Sequence, residues 1–179
     1  MAELTLPDVA LHASFLDWMA EEAEQRPPGG GMRTFTRELR VWGDTWHEPA
    51  AFARYVRELC ESPRPSGLGS GEPWVPRTTL WWVAGRTLLG RIAVRHHLDG
   101  RQRDHGGHLG YGVRPSARGA GHAGAMVRAA LPYARELGID PALVVCDVAN
   151  TASRKVIERC GGVFEDRRGD SLRYWIPTV

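Results

Sequence analysis

The sequence predicts an α/β fold: a mixed sheet in which an antiparallel meander leads into one parallel strand–helix–strand crossover, with helices on its flanks. Three observations carry this. A Trp- and β-branched-rich stretch, Thr78–Ala84, is followed by an alternating one, Leu88–Leu98. A Gly-rich junction, Arg118–Gly124, opens an amphipathic helix. Beyond it the nearly continuous apolar run Leu143–Val148 reads as a strand covered on both faces.

Taken in chain order, Val9–Glu24 places Leu11, Phe15, Trp18 and Met19 at helical spacing, with acids on the other face. Pro27, Pro28 and three successive glycines make Arg26–Met32 a loop. Pro49–Glu61 repeats the helical pattern with Phe52, Val56 and Leu59, and Pro49 suits a helix start. Ser62–Pro76, with four prolines and three glycines, is a second loop. Neither loop reads as a domain linker, because neither flank is large enough to fold alone. Gly85-Arg86 turns the first strand into the second, on which Ile92, Val94, His96 and Leu98 share one face. Arg91, Ala93, Arg95 and His97 share the other. Asp99–Gly107 is a polar loop and His108–Val113 a third strand. Gly119–Leu137 carries an apolar stripe through Val127, Ala130 and Ala134, and Gly138 stops it. Pro132 inside this helix predicts a kink. Thr151–Cys160 is a last helix, stopped by Gly161-Gly162, and two short strands finish the chain.

With 179 residues, 42% of them hydrophobic, the chain suffices for one core, and 25% charge argues against overall disorder. A net charge of +2 is too mild to imply nucleic-acid binding. The charge is uneven, however. From Arg91 to Arg128 seven arginines face only Asp99 and Asp104, a surplus of five positive charges, whereas Asp17–Arg26 holds four acids and one base. That points to an anionic ligand on the central stretch. Cys60, Cys146 and Cys160 show no metal-ligand spacing, so no metal is expected. No secretory leader or membrane-length apolar run is visible, which makes the cytosol the expected compartment.

The chemistry concentrates at Arg118-Gly119-Ala120-Gly121-His122-Ala123-Gly124. Glycines let the backbone come close to a ligand, and the unpaired amides of a helix start face one point with the helix dipole behind them. This is a diphosphate site in physical terms, although a tight turn alone would also use glycines. The stretch is neither GxGxxG nor a Walker sequence.

Arg118-x-x-Gly121-x-Ala123 resembles the Gln/Arg-x-x-Gly-x-Gly/Ala motif of the GNAT acyltransferases. The preceding Gly110-Tyr111-Gly112-Val113-Arg114-Pro115-Ser116 looks like that family's fourth strand. Asn150-x-x-Ser153-x-x-Val156-Ile157-Glu158-x-x-Gly161-Gly162 is similar to its second CoA motif. Order and spacing agree from Thr78 onward. The resemblance implies a GNAT domain over 1–179, with 1–76 supplying helices and loops on the acceptor side and 77–179 the CoA-binding core. It implies acetyl-CoA as cosubstrate. Gly119, Ala120, Gly121, His122, Ala123 and Gly124, with Arg118 beside them, would hold the CoA diphosphate. Val113 would pair with pantetheine where two parallel strands splay, and Asn150 and Ser153 would contact the cofactor from the other side. Ala120 departs from the Lys or Arg common there, and His122 from an apolar or aromatic residue.

The resemblance further implies N-acyl transfer, most simply N-acetyl transfer, to a primary amine of a small molecule. Attack requires a proton acceptor, since an ammonium has no lone pair. Where the family often has Glu at the start of the fourth strand, His108 stands here. An imidazole with an ordinary pKa of ~6.5 suits a base near neutrality, while a strand histidine bonded to its neighbours is the equal alternative. His97 and Arg95 read first as a solvated strand face, with a place lining the acceptor site as the alternative. Ile157 stands where the family often has an acidic Tyr, leaving the acid unassigned. Cys146 reads as a core thiol. A backbone amide near Val113 or Arg114 would stabilise the oxyanion, and Asp17, Glu21 and Glu22 would favour a cationic acceptor, although a solvated helix face explains these acids equally well. Two alternatives stay open: an aminoacyl-tRNA-dependent transferase on the same fold, and a non-catalytic acyl-CoA sensor. No membrane partner is expected, and monomer and homodimer are equally compatible.

Overall fold

A computed structural model describes residues 1–25, 36–61 and 74–179 of the chain. Its strands are β1 (Ala2–Thr5), β2 (Arg77–Ala84), β3 (Thr87–Arg95), β4 (Leu109–Val113), β5 (Ala142–Asp147), β6 (Val163–Arg168) and β7 (Ser171–Ile176). They form one sheet in the order β1-β2-β3-β4-β5-β7-β6. All neighbours run antiparallel except β4 and β5. The helices are α1 (His12–Glu24), α2 (Thr36–Trp42), α3 (Pro49–Glu61), α4 (Gly100–His105), α5 (His122–Glu136) and α6 (Thr151–Arg159). No helix among the described residues is long and apolar enough to cross a membrane. The loops predicted over 26–32 and 62–76 lie outside the described residues except at 74–76.

Alternation along β2 and β3 divides the core. Leu80, Trp82, Ile92 and Val94 pack with Leu109, Met126, Val127, Ala130 and Ile157 on the side of α5 and α6. Trp81, Val83 and Leu88 pack on the other side with Phe15, Trp18, Phe52 and Tyr55 of α1 and α3. There Phe15 lies edge-on to Trp46 at 4.9 Å and tilted on Phe52 at 5.1 Å. One extra residue, Leu89, bulges from β3 between Trp82↔Gly90 and Val83↔Leu88. Gly90 beside it is fixed by close approach, because a Cβ there would stand 2.7 Å from the Gly112 carbonyl.

Several boundaries differ from the sequence expectation. β1 and α2 were not anticipated: four and seven residues are too short to display a period, and β1 exists by pairing Ala2↔Ala84 through Thr5↔Trp81. The polar 99–107 loop contains α4, because the Asp99 side chain accepts from the Gln102 amide at 2.7 Å and caps a turn. β3 stops at Arg95, so Leu98 is not on its face. His96, half-buried, meets the Thr78 hydroxyl through Nε2 at 2.9 Å instead of entering the core. The long helix begins at His122, not Gly119, since Gly119 and Gly121 have φ of +80° and +83°. It runs on through Pro132.

The core between the sheet and α1–α3 encloses charge. Glu38 of α2 is 3% exposed and receives Arg91 and Arg77, each at 3.1 Å. Arg91 also donates to the Tyr55 hydroxyl at 3.5 Å. Burial opposes the carboxylate, but the Arg91 and Arg77 guanidiniums outweigh it and hold its pKa below the usual range. Breaking a buried pair leaves an uncompensated charge and costs ~3–5 kcal/mol. Glu38→Gln should therefore lower the unfolding free energy in urea by about 3 kcal/mol. An unchanged midpoint and slope would show that the cluster contributes nothing.

Candidate active site

The sheet is incomplete at its parallel pair. β4 and β5 share a single register position, Leu109↔Val144, and beyond it Gly110–Val113 have no partner on β5. The chain direction alternates along β4. The His108 carbonyl accepts from the Arg95 amide at 2.8 Å, and the Arg114 amide donates to Leu89 at 2.9 Å, so both turn toward β3. The same alternation aims the amides and carbonyls of Tyr111 and Val113 into the opening. The result is a notch lined by strand backbone, ready to pair with an extended ligand. Arg114 cannot supply the expected oxyanion donor, since its amide is already bonded to Leu89. Tyr111 can.

The notch leads to the Gly-rich junction. Gly121, in left-handed conformation, precedes α5 and no side chain caps that helix. A Cβ at Gly119 or Gly121 would meet nothing within 4 Å, so their glycine identity comes from φ and from open space above the loop. The first amides of a 15-residue helix, at His122, Ala123 and Gly124, thus lack side-chain partners and face the dipole's positive end outward. The Trp82 indole donates to His122 Nδ1 at 3.2 Å, which leaves Nε2–H as a donor at the helix start. Ala120 is exposed and contributes backbone only. These features fit a diphosphate and an extended arm.

Acidic side chains of α1 fasten this region to the sheet. Glu21 accepts from Arg114 Nε at 3.0 Å and also from Arg114 Nη2, and it accepts the Ser116 amide at 2.9 Å and hydroxyl at 2.8 Å. Arg114 Nη1 reaches the Ser14 hydroxyl and the Leu88 carbonyl, while Ser14 accepts the Leu88 amide at 2.9 Å. The Arg114 bonds, outweighing some burial, pull the Glu21 pKa down to about 2, with help from Ser116. Arg118, half-exposed, donates to Glu22 at 2.8 Å and to the Val113 carbonyl at 3.0 Å. Glu21 and Glu22 are therefore neutralised by the protein's own arginines. They do not form the expected cation-attracting surface, and three of the seven central arginines (Arg91, Arg114, Arg118) are likewise spent.

On the far side of the notch, Asn150 caps α6 by accepting the Ser153 amide at 3.0 Å. The Ser153 hydroxyl bonds the Tyr111 phenol at 2.7 Å. Burial pushes the Tyr111 pKa up to about 12, against the Ser153 bond. Ile157 is fully buried in the core. Tyr111, to which the sequence assigned no role beyond the fourth-strand motif, is thus the tyrosine that meets α6. Its alternation with Leu109 was the available signal. Cys146 is buried, and burial raises its thiol pKa.

His108 lies at the closed end of the notch. Its Nδ1 accepts the Leu143 amide at 2.9 Å, while its own amide donates to the Leu143 carbonyl at 2.6 Å. Burial, reinforced by Arg103 and Arg95, draws its pKa down to about 4. Near neutrality the ring is uncharged, its one lone pair is occupied and Nε2 carries the proton. This is the geometry of a strand histidine bonded to its neighbours. The ring borders an open cleft of about 350 Å³ with His96, His97, Arg103, Asp140 and Trp175.

Residues 32–163 match the family model described as the acetyltransferase (GNAT) domain. The chain belongs to that family. It is an acetyltransferase. No curated protein sequence matches the chain at a significant level. Several solved structures share the fold at low identity. The Vibrio fischeri ribosomal-protein-S5-alanine acetyltransferase aligns with a TM-score of 0.63 at 12% identity, over 99% of this chain and 93% of its own. The microcin C7 self-immunity acetyltransferase MccE, in complex with acetyl-CoA and AMP, gives 0.61 at 10%, over 98% and 92%. The Thermoplasma acidophilum PaiA N-acetyltransferase with coenzyme A gives 0.60 at 11%, over 99% of both chains.

Two outcomes are expected. Gly121→Asp puts a β-branch-free but charged side chain at a strained φ, where the diphosphate would lie. Strain of about 1–2 kcal/mol should leave the protein folded, while acetyl-CoA affinity measured by calorimetry falls at least ~100-fold. An unchanged affinity would remove this loop from the binding site. For Glu21, a lowered folded-state pKa means stability that is complete above pH 4.5 and is lost as pH falls toward about 2. Glu21→Gln should be less stable than the parent by ~1–3 kcal/mol at pH 7, and the gap should close below pH 4.5. A gap independent of pH would show that charge plays no part in it.

Proposed function

We propose that this acetyltransferase moves the acetyl group of acetyl-CoA to a primary amine of a small molecule by direct attack in a ternary complex. The observation that carries the reading is the notch. It offers strand backbone without a β5 partner at Tyr111 and Val113, the Val113 carbonyl being held by Arg118 alone, leads to uncapped amides at Gly119–Gly124, and opens beside Gly110 toward the face of α1–α3.

In this reading His122, Ala123 and Gly124 donate amides to the diphosphate, with His122 Nε2–H and Arg118 as further donors. Arg118 would exchange Val113 for phosphate, freeing the Val113 carbonyl to pair with the pantetheine arm. The bound thioester supplies the activated acyl carbon. Tyr111 N–H donates to its carbonyl oxygen as negative charge develops there. The neutral amine nitrogen bonds to that carbon, the carbon–sulfur bond breaks, and the nitrogen releases its surplus proton to solvent as the amide forms. The Tyr111 phenol, held by Ser153, delivers a proton to the departing sulfur and regains one from solvent. His108 is assigned a positioning role: it ties β4 to Leu143 at the notch's closed end, and the acceptor loses its ammonium proton to water in the open cleft. Support for a tRNA-borne donor weakens, because much of the basic surplus is consumed in internal pairs.

Under this assignment log kcat rises with pH through one ionisation, that of the bound amine, and then stays level to at least pH 10. Changing to an acceptor of different amine pKa should move the inflection by the same amount. Tyr111→Phe should lower kcat roughly tenfold or more with little change in acetyl-CoA affinity. A histidine-like inflection abolished by His108→Asn would restore His108 as the base. A descending limb below pH 10 that disappears on mutating Tyr133 or Tyr174 would move the acid elsewhere.

A further inference from the structure

We propose that Arg95 selects acceptors carrying an anionic group, a carboxylate or a phosphate, next to the amine that is acetylated. The inference rests on the acetyl-transfer reading above and names the substrate class of that site.

Arg95 shares a face of β3 with Arg91, which packs against α2 and α3. Its guanidinium reaches across β4 and lies over Gly110, where a Cβ would stand 3.5 Å from Nη1. Gly110 is the first β4 residue past Leu109↔Val144, so this cation sits beside the vertex of the notch, on the side open to an acceptor. A side chain at position 110 would fill that spot.

The charge around it does not balance. Glu38 is shared between Arg77 and Arg91. Glu21 is taken by Arg114, and Glu22 by Arg118 and the Trp18 indole. Asp99 caps α4, and Asp104 pairs with Arg168. Among the described residues no carboxylate lies within ion-pair distance of Arg95. Its only hydrogen bonds there are from Nη1, to the carbonyls of Gly107 at 2.9 Å and Gly106 at 3.3 Å. Nε and Nη2 remain for a ligand. Burial, with Arg77 and Arg91 beside it, lowers its pKa to about 10, so it is still a cation at neutral pH. A half-buried guanidinium with no carboxylate in contact, only the more distant charge of Asp99, costs the folded protein stability, and a planar fork of donors fits carboxylate or phosphate oxygens.

The test pairs matched acceptors. Free amino acids, their C-terminal amides and 2-aminoethyl phosphate are each assayed with saturating acetyl-CoA, and the same probes are titrated calorimetrically into the CoA-loaded protein. Wild type should favour an anionic probe over its neutral partner at least ~10-fold in kcat/KM and in affinity. The amino-acid and aminophosphate arms decide which anion is used. In Arg95→Gln that ratio should fall to near unity, and Arg95→Lys should recover part of it, with acetyl-CoA affinity retained in both. Equal use of anionic and neutral probes by wild type overturns the inference, whether or not the variants fold. So does an undiminished ratio in Arg95→Gln. If no amine is acetylated, the acetyl-transfer reading fails. The calorimetric ratio and its dependence on Arg95 then still decide whether an anion binds there.

Discussion

The Glu21 carboxylate, gripped by Arg114 and Ser116, is the contact on which the geometry of the site depends. It joins α1 to the residue that ends β4 and to the turn that enters the Gly-rich loop. Arg114 extends the tie to Leu88 and Ser14, so α1 is also bonded to β3 just before the Leu89 bulge. Hydrogen bonds to charged groups contribute ~1.5–3 kcal/mol each, and here they constrain a backbone that glycine would otherwise leave loose. The Gly-rich loop thereby has a fixed position relative to β4.

The notch itself follows from what β4 does not do. Leu109 completes the sheet against β5, and the next four residues leave it incomplete. Unpaired strand backbone is costly where buried and is an aggregation hazard where exposed. A ligand with amide groups can satisfy it. Glycines at 110 and 112, opposite Ala93 and Arg91, keep the face toward α1–α3 low. Tyr111 between them turns its ring to the other side, where Ser153 receives it. One strand thus divides two tasks between its faces, and its backbone performs a third.

Charge tells a similar story of internal use. The acidic helix and the basic central stretch look from the sequence like two separate binding surfaces. Folding brings them together, and Glu21, Glu22 and Glu38 neutralise Arg114, Arg118, Arg91 and Arg77. What survives near the notch is the remainder, Arg95. His108 shows the same lesson at one residue. Its type suits proton transfer, but its surroundings commit the lone pair to a backbone amide and disfavour the charged ring.

The sequence by itself determined the order of the principal elements and the place of the Gly-rich loop, because helical and strand periods, glycine and helix stops are local properties. It also sufficed to point to the family, since Arg118, Gly121 and Ala123 act through backbone freedom and a helix start that short spacing encodes. Only the tertiary structure decided where β4 and β5 part, that β1 and α2 exist, and that Asp99 caps α4 within a polar loop. It alone paired α1 acids with distant arginines, fixed the His108 tautomer through Leu143 and brought Tyr111 to Ser153. Apart from the Asp99 cap, which is local, these depend on groups far apart in the chain, whose hydrogen bonds and charges are settled only when the strands and helices have packed.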